Sequence, residues 1–331
     1  MKVLFVCSGL SKHQISPVVL AQGISVERTG VTVEYFPVGG RGAFSYVRAA
    51  FRLRKFLSQR EFDCIHAHYG LCGIVALLSG RKLPLVVSFM GDDILGSRST
   101  GGRVIRLSRF MAWLNACLSD RFYDHTIIKS ERMMHRRLNR QSVSVIPNGV
   151  DIERFRPFDR SKALEITGWD PGMRHIIFVS DPARSEKNYS LAVRGVDQTG
   201  RSDIQLHAVN KVEHSRMPYV YNSADALLLT SFHEGSANVV KEAMACNCPV
   251  ISTDTGDAAW VTGDTSGCSI ISADPLAVAR GIELATDYRL RYGQTNGRAR
   301  IISLALDSAA VAGRLVGIYQ KVIGKCADCA D

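Results

Sequence analysis

The sequence lacks any long uninterrupted run of apolar residues. No stretch approaches the ~18–20 consecutive apolar residues that a membrane-spanning helix needs. The apolar run at residues 2–7 stops too early to be the core of a signal peptide, so it predicts a first β-strand. The nine cysteines are odd in number and scattered, mostly in apolar runs, which indicates reduced thiols rather than disulfides. We therefore expect a cytoplasmic chain.

The sequence also has little that indicates a metal site or a nucleic-acid interface. Cys326 and Cys329 form a C-x-x-C at the end of the chain, but no second pair or following histidine completes a zinc site, so we interpret them as part of the tail. Aspartate and histidine form no cluster with metal-ligand spacing. Basic residues are not interleaved with aromatics, and no helix-turn-helix or RNA-binding signature is present. We expect no metal, no cofactor and no nucleic-acid partner.

Acidic residues are scarce in the first half of the chain. Residues 1–150 hold 21 Lys and Arg against 9 Asp and Glu, a net charge of +12, whereas residues 151–331 hold 20 and 22, a net of −2. This asymmetry predicts an acidic partner for the first half, namely nucleic acid, an anionic membrane surface or a phosphorylated acceptor. The alternative is a basic face that serves only solubility.

Short apolar runs alternate with helical patterns along the chain, and the alternation restarts near residue 175. Strands separated by helices predict a parallel, doubly wound α/β sheet, and the restart predicts two Rossmann-like domains facing a central cleft. We predict an N-terminal domain over 1–155, a C-terminal domain over 156–307, and a closing helix and tail over 308–331. The segment 151–174, with two prolines and two glycines among charges, is the linker candidate.

The most informative segment is residues 231–253, SFHEGSANVVKEAMACNCPVIST. It predicts a loop after a buried strand, then a helix with Ser236 as its N-cap. The N–H groups and the dipole at the start of such a helix form a site for a diphosphate. Carboxylates accept hydrogen bonds from sugar hydroxyls, so Glu234 is a candidate for holding a sugar and Glu242 for holding a ribose. The alternative is that both are surface charges.

Glu234 and Glu242, separated by seven residues within HEGxxNxxxEAMA and followed by PVI, closely resemble the E-x7-E signature of family-4 retaining glycosyltransferases. VIPNGVDIERFRP (145–157) is similar to the interdomain segment of that family, and TDTGDAAWVTGDTSG (253–267) to the loop after its motif. The resemblance covers nearly the whole chain. It implies a GT-B fold and a metal-independent transfer, with retention of anomeric configuration, from a nucleotide-diphosphate sugar.

The resemblance also implies roles for individual residues. VSDPARSEKN (179–188) is similar to the loop whose Arg and Lys bind the donor diphosphate, so Lys187 and, as a looser match, Arg184 join Glu234 as catalytic candidates. The family motif further implies a donor-binding set: His233, Gly235, Ser236, Ala237, Asn238, Val239 and Glu242.

In the first half, HAHYG (66–70) and SFMGDDI (88–94) are similar to acceptor-domain strands of the family. His68 and Asp93 are candidates for the acceptor or cleft, with core packing and helix capping as their alternatives. The first loop carries one glycine where the family has several. This loop adds Gly9, Ser11, Lys12 and His13 as candidates for the acceptor or cleft. Lys12 and His13 are candidates for contact with an anionic acceptor or the diphosphate, and the alternative is a simple exposed loop. Met90 replaces a histidine of the family and Trp260 an acidic residue, and neither receives a role.

These features predict a glycosyltransferase that assembles surface polysaccharide, with a glycan or lipid-linked acceptor and peripheral contact with an anionic inner membrane face. A GT-B epimerase or phosphorylase is the alternative within the same fold. A basic nucleic-acid-binding protein is a second alternative, and it rests on the charge of the first half alone.

Overall fold

A computed structural model describes residues 1–9, 15–40, 42–97 and 104–328 of the chain. The described residues form two compact units. Of the described residues, 1–97, 104–149 and 308–328 with the gaps just given belong to unit 1, and 150–307 belong to unit 2. None of the helices in the described ranges is both long and apolar enough to cross a bilayer.

Unit 1 is built on a six-stranded sheet in which every strand pairs in parallel, in the order β2-β1-β3-β4-β5-β6. Its strands are β1 (Lys2–Ser8), β2 (Thr32–Val38), β3 (Cys64–His68), β4 (Leu85–Ser88), β5 (His125–Ile128) and β6 (Val143–Val145). Its helices are α1 (Pro17–Glu27), α2 (Ala43–Leu57), α3 (Gly70–Leu78), α4 (Asp92–Leu95), α5 (Arg106–Phe122) and α13 (Ser308–Asp328).

Strand β1 shows how the sequence builds this unit. Leu4 and Val6 belong to a core with α2, α3 and α5, whereas Val3, Phe5 and Cys7 belong to a second core with α1 and α13. Side chains of a strand alternate between the two faces of a sheet, so an almost wholly apolar strand needs helices on both faces. The C-terminal helix α13 supplies part of that cover through Val311, Leu315 and Tyr319.

Unit 2 repeats the design with a five-stranded parallel sheet in the order β11-β10-β9-β7-β8. Its strands are β7 (Arg174–Phe178), β8 (Ile204–Ala208), β9 (Ala226–Leu229), β10 (Val250–Thr253) and β11 (Ser269–Ile271). Its helices are α6 (Arg160–Thr167), α7 (Tyr189–Gln198), α8 (Met217–Ser223), α9 (Asn238–Ala245), α10 (Ala258–Thr262), α11 (Pro275–Tyr292) and α12 (Gly297–Ser303). The predicted α/β class with two parallel sheets is confirmed.

The linker prediction for residues 151–174 was wrong. The segment contains helix α6, and Phe155 is buried in the core of unit 2. Arg298 donates from Nη1 to the carbonyl oxygens of Ile152, at 2.6 Å, and Phe155, at 3.0 Å. The segment is therefore a packed part of unit 2, and Gly168 ends α6 in the left-handed conformation.

Candidate active site

The loop that follows β9 is tied to the loop that precedes α7. Thr230 donates its hydroxyl to the carbonyl oxygens of Lys187 and Asn188, each at 3.0 Å. The backbone N–H of Phe232 donates to the carbonyl oxygen of Glu186 at 2.9 Å. Both loops lie at the carboxyl ends of neighbouring parallel strands, β9 and β7, where open α/β sheets bind their ligands.

These ties bring together two residues that the sequence singled out separately. The Lys187 ammonium contacts Glu234 Oε1 at 2.5 Å, and the Ser231 hydroxyl donates to the same oxygen at 2.7 Å. Both charged side chains are largely buried. The site therefore holds a positive and a negative group side by side, one suited to phosphate oxygens and the other to hydroxyl groups.

The N-cap prediction for Ser236 was wrong, because helix α9 begins at Asn238 with Ala237 as its N-cap residue. Ser236 instead donates its hydroxyl to Asp257 Oδ2 at 2.6 Å and accepts from Lys241 Nζ at 2.5 Å. The N-cap residue Ala237 has no polar side-chain group with which to cap the first turn of α9. The Ser236 hydroxyl is thus bonded to Asp257 and Lys241, and the backbone N–H groups and dipole at this end of the helix suit an anion.

Lys241 and Asp257 were missed by sequence reasoning, although Lys241 lies within the motif and Asp257 in the loop that follows it. Lys241 is only 1% exposed, and its Nζ lies 3.7 Å from Asp257 Oδ2. A charged residue on the buried face of α9, four positions after Ala237 and three before Met244, was a signal that helical periodicity could have found. A lysine is rarely buried unless it has a partner, so its position pointed to an acidic group nearby.

Glu242 lies one turn into α9 and has two partners. Tyr221 on α8 donates its hydroxyl to Oε2 at 2.8 Å, and His214 Nε2 lies 3.2 Å from Oε1. Burial, and to a smaller extent the neighbouring carboxylate of Glu242, raises the pKa of the Tyr221 phenol well above its usual range. The hydroxyl therefore stays protonated and acts as a donor. The two contacts fix the orientation of Glu242. Neither partner was predicted, because both lie more than 20 positions away in the sequence.

A glycine closes the site on the side of the loop after β10. Gly256 has φ +55, and a Cβ there would lie 3.1 Å from the carbonyl oxygens of Glu234 and Gly235. Thr253 donates its hydroxyl to the Ser231 carbonyl oxygen at 2.8 Å, which holds the same two loops together. This close approach of backbone to backbone needs a residue without a side chain.

Arg184 is placed differently from the other candidates of unit 2. Its side chain is exposed and paired with Glu186, with Nε donating to Oε1 at 2.7 Å. It precedes the short 3-10 helix Ser185–Lys187. Its assignment to the diphosphate stays a prediction. The rest of the predicted donor-binding set lies in the loop before α9 and in its first turn: His233, Gly235, Ala237, Asn238 and Val239.

In unit 1, Asp93 organises the loop after β4. Its carboxylate accepts the backbone N–H groups of Met90, Gly91 and Gly70, each at 2.9 Å at its closest oxygen. Burial raises the pKa of Asp93 to about 6, with these hydrogen bonds acting in the opposite direction. The carboxylate thus holds the loop in place, and the contact of Asp93 with the acceptor stays a prediction.

His68 stands at the end of β3 and is 2% exposed. Its ring lies 4.1 Å from the His66 ring and 4.6 Å from the Phe5 ring, measured between centroids, because alternate residues of a strand lie on one face of the sheet. His66 contacts Tyr319 and Ser88, and burial lowers the pKa of both histidines well below the usual value. Both rings are therefore neutral, and the cleft role of His68 stays a prediction.

Gly9 follows β1, with its N–H donating to the Val38 carbonyl oxygen at 2.8 Å, and a Cβ there would lie 3.2 Å from that oxygen. Ser11, Lys12 and His13 lie outside the described residues. Asn247, which follows α9, adopts the left-handed conformation with φ +55, which asparagine tolerates at the end of a helix. Trp260 is half exposed, and nothing in the described contacts assigns it a role.

Comparison with known proteins gives two profile matches. A profile described as Glycosyltransferase Family 4 matches residues 3–154, and one described as Glycosyl transferases group 1 matches residues 175–287. The D-inositol 3-phosphate glycosyltransferase 2 of Catenulispora acidiphila is 24% identical over 306 residues, which cover 79% of this chain and 71% of that protein. The GDP-mannose-dependent alpha-mannosyltransferase of Mycolicibacterium smegmatis is 27% identical over 286 residues, which cover 80% and 74%.

Solved structures share the fold at low sequence identity. Sucrose-phosphate synthase from Thermosynechococcus elongatus has a TM-score of 0.76 at 16% identity, covering 98% of this chain and all of that one. Anabaena HepE, solved in complex with UDP, has a TM-score of 0.73 at 16% identity, covering 97% of this chain and 100% of its own.

Proposed function

The chain belongs to the family-4 glycosyltransferases of the GT-B fold, and from that premise we propose that it transfers a sugar from a nucleotide-diphosphate donor. The acceptor is a glycan or a lipid-linked molecule. The transfer retains the anomeric configuration and needs no metal. The observation that carries the proposal is the contact between Lys187 and Glu234 beside the start of α9. A cation and the start of a helix suit the diphosphate, and the carboxylate suits the sugar.

In the proposed reaction the bond between the anomeric carbon and the phosphate oxygen breaks, and a bond from that carbon to an acceptor oxygen forms. The acceptor proton passes to an oxygen of the leaving diphosphate. The developing negative charge is stabilised by Lys187 and by the N–H groups of the first turn of α9. Glu234 accepts hydrogen bonds from sugar hydroxyls, and Glu242, held by Tyr221, accepts them from the ribose.

The named ligands of similar proteins support a nucleotide-sugar donor for this chain. HepE was solved with UDP, and the mycobacterial relative is described as GDP-mannose-dependent. Pyrimidine and purine bases both occur among them, so the base must be measured. We further propose that the product is part of a surface polysaccharide and that the enzyme works at the cytoplasmic membrane face, where the basic first half meets an anionic surface.

A thermal-shift screen with UDP-, GDP-, ADP- and TDP-sugars tests the proposal. Ligand at about 100 times its dissociation constant stabilises the folded protein by about 2.7 kcal/mol, which a melting curve resolves. We expect one donor to raise the melting temperature of the parent protein, with a much smaller effect on Lys187→Met. Arg194→Met, on an exposed part of α7, is the matched control and should respond like the parent. The absence of a shift with every nucleotide sugar would contradict the proposal.

A further inference from the structure

Helix α2 exposes large apolar side chains in a single stripe. Phe44 is 81% exposed and Phe51 is 68% exposed, and Val47 lies between them on the same side. Positions separated by three, four and seven residues share one face of a helix, so the three side chains form a continuous strip. The opposite side of α2 packs into unit 1 through Ala49, Ala50 and Leu53. The strip is therefore an outward surface of a helix that is already anchored.

Basic residues border this strip. Arg48, Arg52 and Lys55 are all exposed and follow the apolar residues by one to four positions on the same half of the helix. From Tyr35 to Arg60 the sequence contains no aspartate or glutamate. We call the set of Phe44, Val47, Phe51, Arg48, Arg52 and Lys55 the basic–apolar surface.

A second exposed apolar patch lies on the same layer of unit 1. Leu107 is 71% exposed on α5, and Phe110 and Trp113 follow it on the same helix. The buried sides of α2 and α5 join one core on one face of the sheet. Helix α2 begins soon after β2 ends, so its first turn lies near the carboxyl edge of the sheet. Helix α5 ends just before β5 begins, so its last turn lies near the amino edge and its first turn lies towards the carboxyl edge as well. The two patches thus share a layer and an edge.

We propose that the basic–apolar surface docks unit 1 on an anionic lipid bilayer, with Phe44 and Phe51 entering the interface and the basic residues contacting headgroup phosphates. Apolar side chains flanked by Lys and Arg are the composition that binds such a surface. A second copy of the chain fits less well, because it would bring cationic faces together. Duplex nucleic acid would contact the cations and leave the phenyl rings in water.

This inference rests on the proposed function, since an enzyme with a lipid-linked acceptor meets that acceptor at a membrane. The test of the inference is independent of the proposed function, because vesicle binding is measured without donor or acceptor. The full chain is sedimented with vesicles of phosphatidylcholine alone and of phosphatidylcholine mixed with phosphatidylglycerol. We expect binding to the anionic vesicles that falls as salt is raised and is weak on the neutral vesicles.

Two variants and a control separate the contribution of the apolar side chains from that of the basic ones. Phe44→Ser with Phe51→Ser removes the apolar part, and Arg48→Gln with Arg52→Gln and Lys55→Gln removes three charges. Each cation near an anionic leaflet contributes about a factor of five, so the second variant should bind about a hundredfold more weakly. The control carries Leu284→Ser and Leu290→Ser on α11 of unit 2, where the leucines are similarly exposed, and should bind like the parent.

Circular dichroism and the donor-induced melting shift are measured on the same preparations. Loss of vesicle binding in both surface variants, with the donor shift and the control unchanged, supports the proposal. Equal binding by the parent and the variants, or no binding of the parent to anionic vesicles, overturns it. So does a dimer that the Phe44 and Phe51 substitutions dissociate, or duplex DNA binding that only the charge variant loses. Vesicle binding without any donor shift would instead overturn the proposed function and leave the surface assignment standing.

Discussion

Replacing Lys241 by methionine should destabilise unit 2 strongly, because the change leaves a buried carboxylate without its cation. Methionine retains most of the apolar stem that packs in the core, so little packing is lost. Asp257 keeps a side chain that is almost fully buried, with the Ser236 hydroxyl as its remaining donor. Removing one partner of a buried ion pair typically costs about 3–5 kcal/mol, and we expect a value in that range.

The double variant separates the ion pair from the packing. Lys241→Met combined with Asp257→Asn removes both charges and retains an oxygen that can accept from Ser236. We expect it to recover most of the lost stability, because replacing both partners of a buried pair is often close to neutral. The two single changes and the double change therefore form a cycle with a coupling free energy of about 2–3 kcal/mol.

Urea unfolding followed by tryptophan fluorescence is a suitable assay. Two of the three tryptophans, Trp169 and Trp260, lie in unit 2, so the signal reports largely on the unit that carries the substitutions. Asp274→Ala, which removes the side-chain cap of α11, is a control for loss of a carboxylate outside the pair and should cost about 1 kcal/mol. Additive single effects, with coupling below about 0.5 kcal/mol, would refute the reasoning.

Three further predictions concern other parts of the chain. Glu234→Gln and Lys187→Met should each lower the rate of sugar transfer by at least about a hundredfold while leaving circular dichroism unchanged; activity within a factor of a few of the parent would exclude the assignment. The pKa of Asp93, about 6 against an ordinary 3.8, means that the folded state binds more protons between these values. Stability should therefore fall by up to about 3 kcal/mol as pH rises from 4 to 6, and Asp93→Asn should remove that slope in pH-dependent unfolding curves. Gly256→Ala places a side chain on a left-handed backbone and against Glu234. It should lower the free energy of unfolding by about 1–2 kcal/mol in thermal unfolding and weaken donor binding. Gly200→Ala is the control, because Gly200 is also left-handed but has open space around it, so this change shows the conformational cost alone.

The alternation of apolar strands with helices was enough to predict both sheets, because parallel strands that are buried on both faces consist almost wholly of apolar residues. Strand β1 is the clearest case, with one set of residues for each core. The motif around Glu234 also predicted which loop and which helix would form the candidate site. In these respects local sequence and tertiary structure agree.

The contacts that orient the site could not be read from the sequence. Tyr221 and His214 reach Glu242 from elements that precede it by more than 20 positions, and only the folded chain brings them together. Ser236 was predicted to cap α9 because serine favours that position, but a buried lysine and a carboxylate compete for the same hydroxyl. Tertiary hydrogen bonds overrode the local preference. The packed segment that contains α6 was misjudged for the same reason.

The central claim is that Lys187 with the start of α9 binds the diphosphate and Glu234 binds the sugar. Isothermal titration of the donor and of its free nucleoside diphosphate, into the parent and two variants, tests this most directly. We predict that Lys187→Met weakens both ligands by about 10–100-fold, since it removes a charge-assisted hydrogen bond to phosphate. Glu234→Gln should weaken only the sugar donor. Unchanged affinity of Lys187→Met for the free diphosphate, or equal losses for both ligands in Glu234→Gln, would contradict the account.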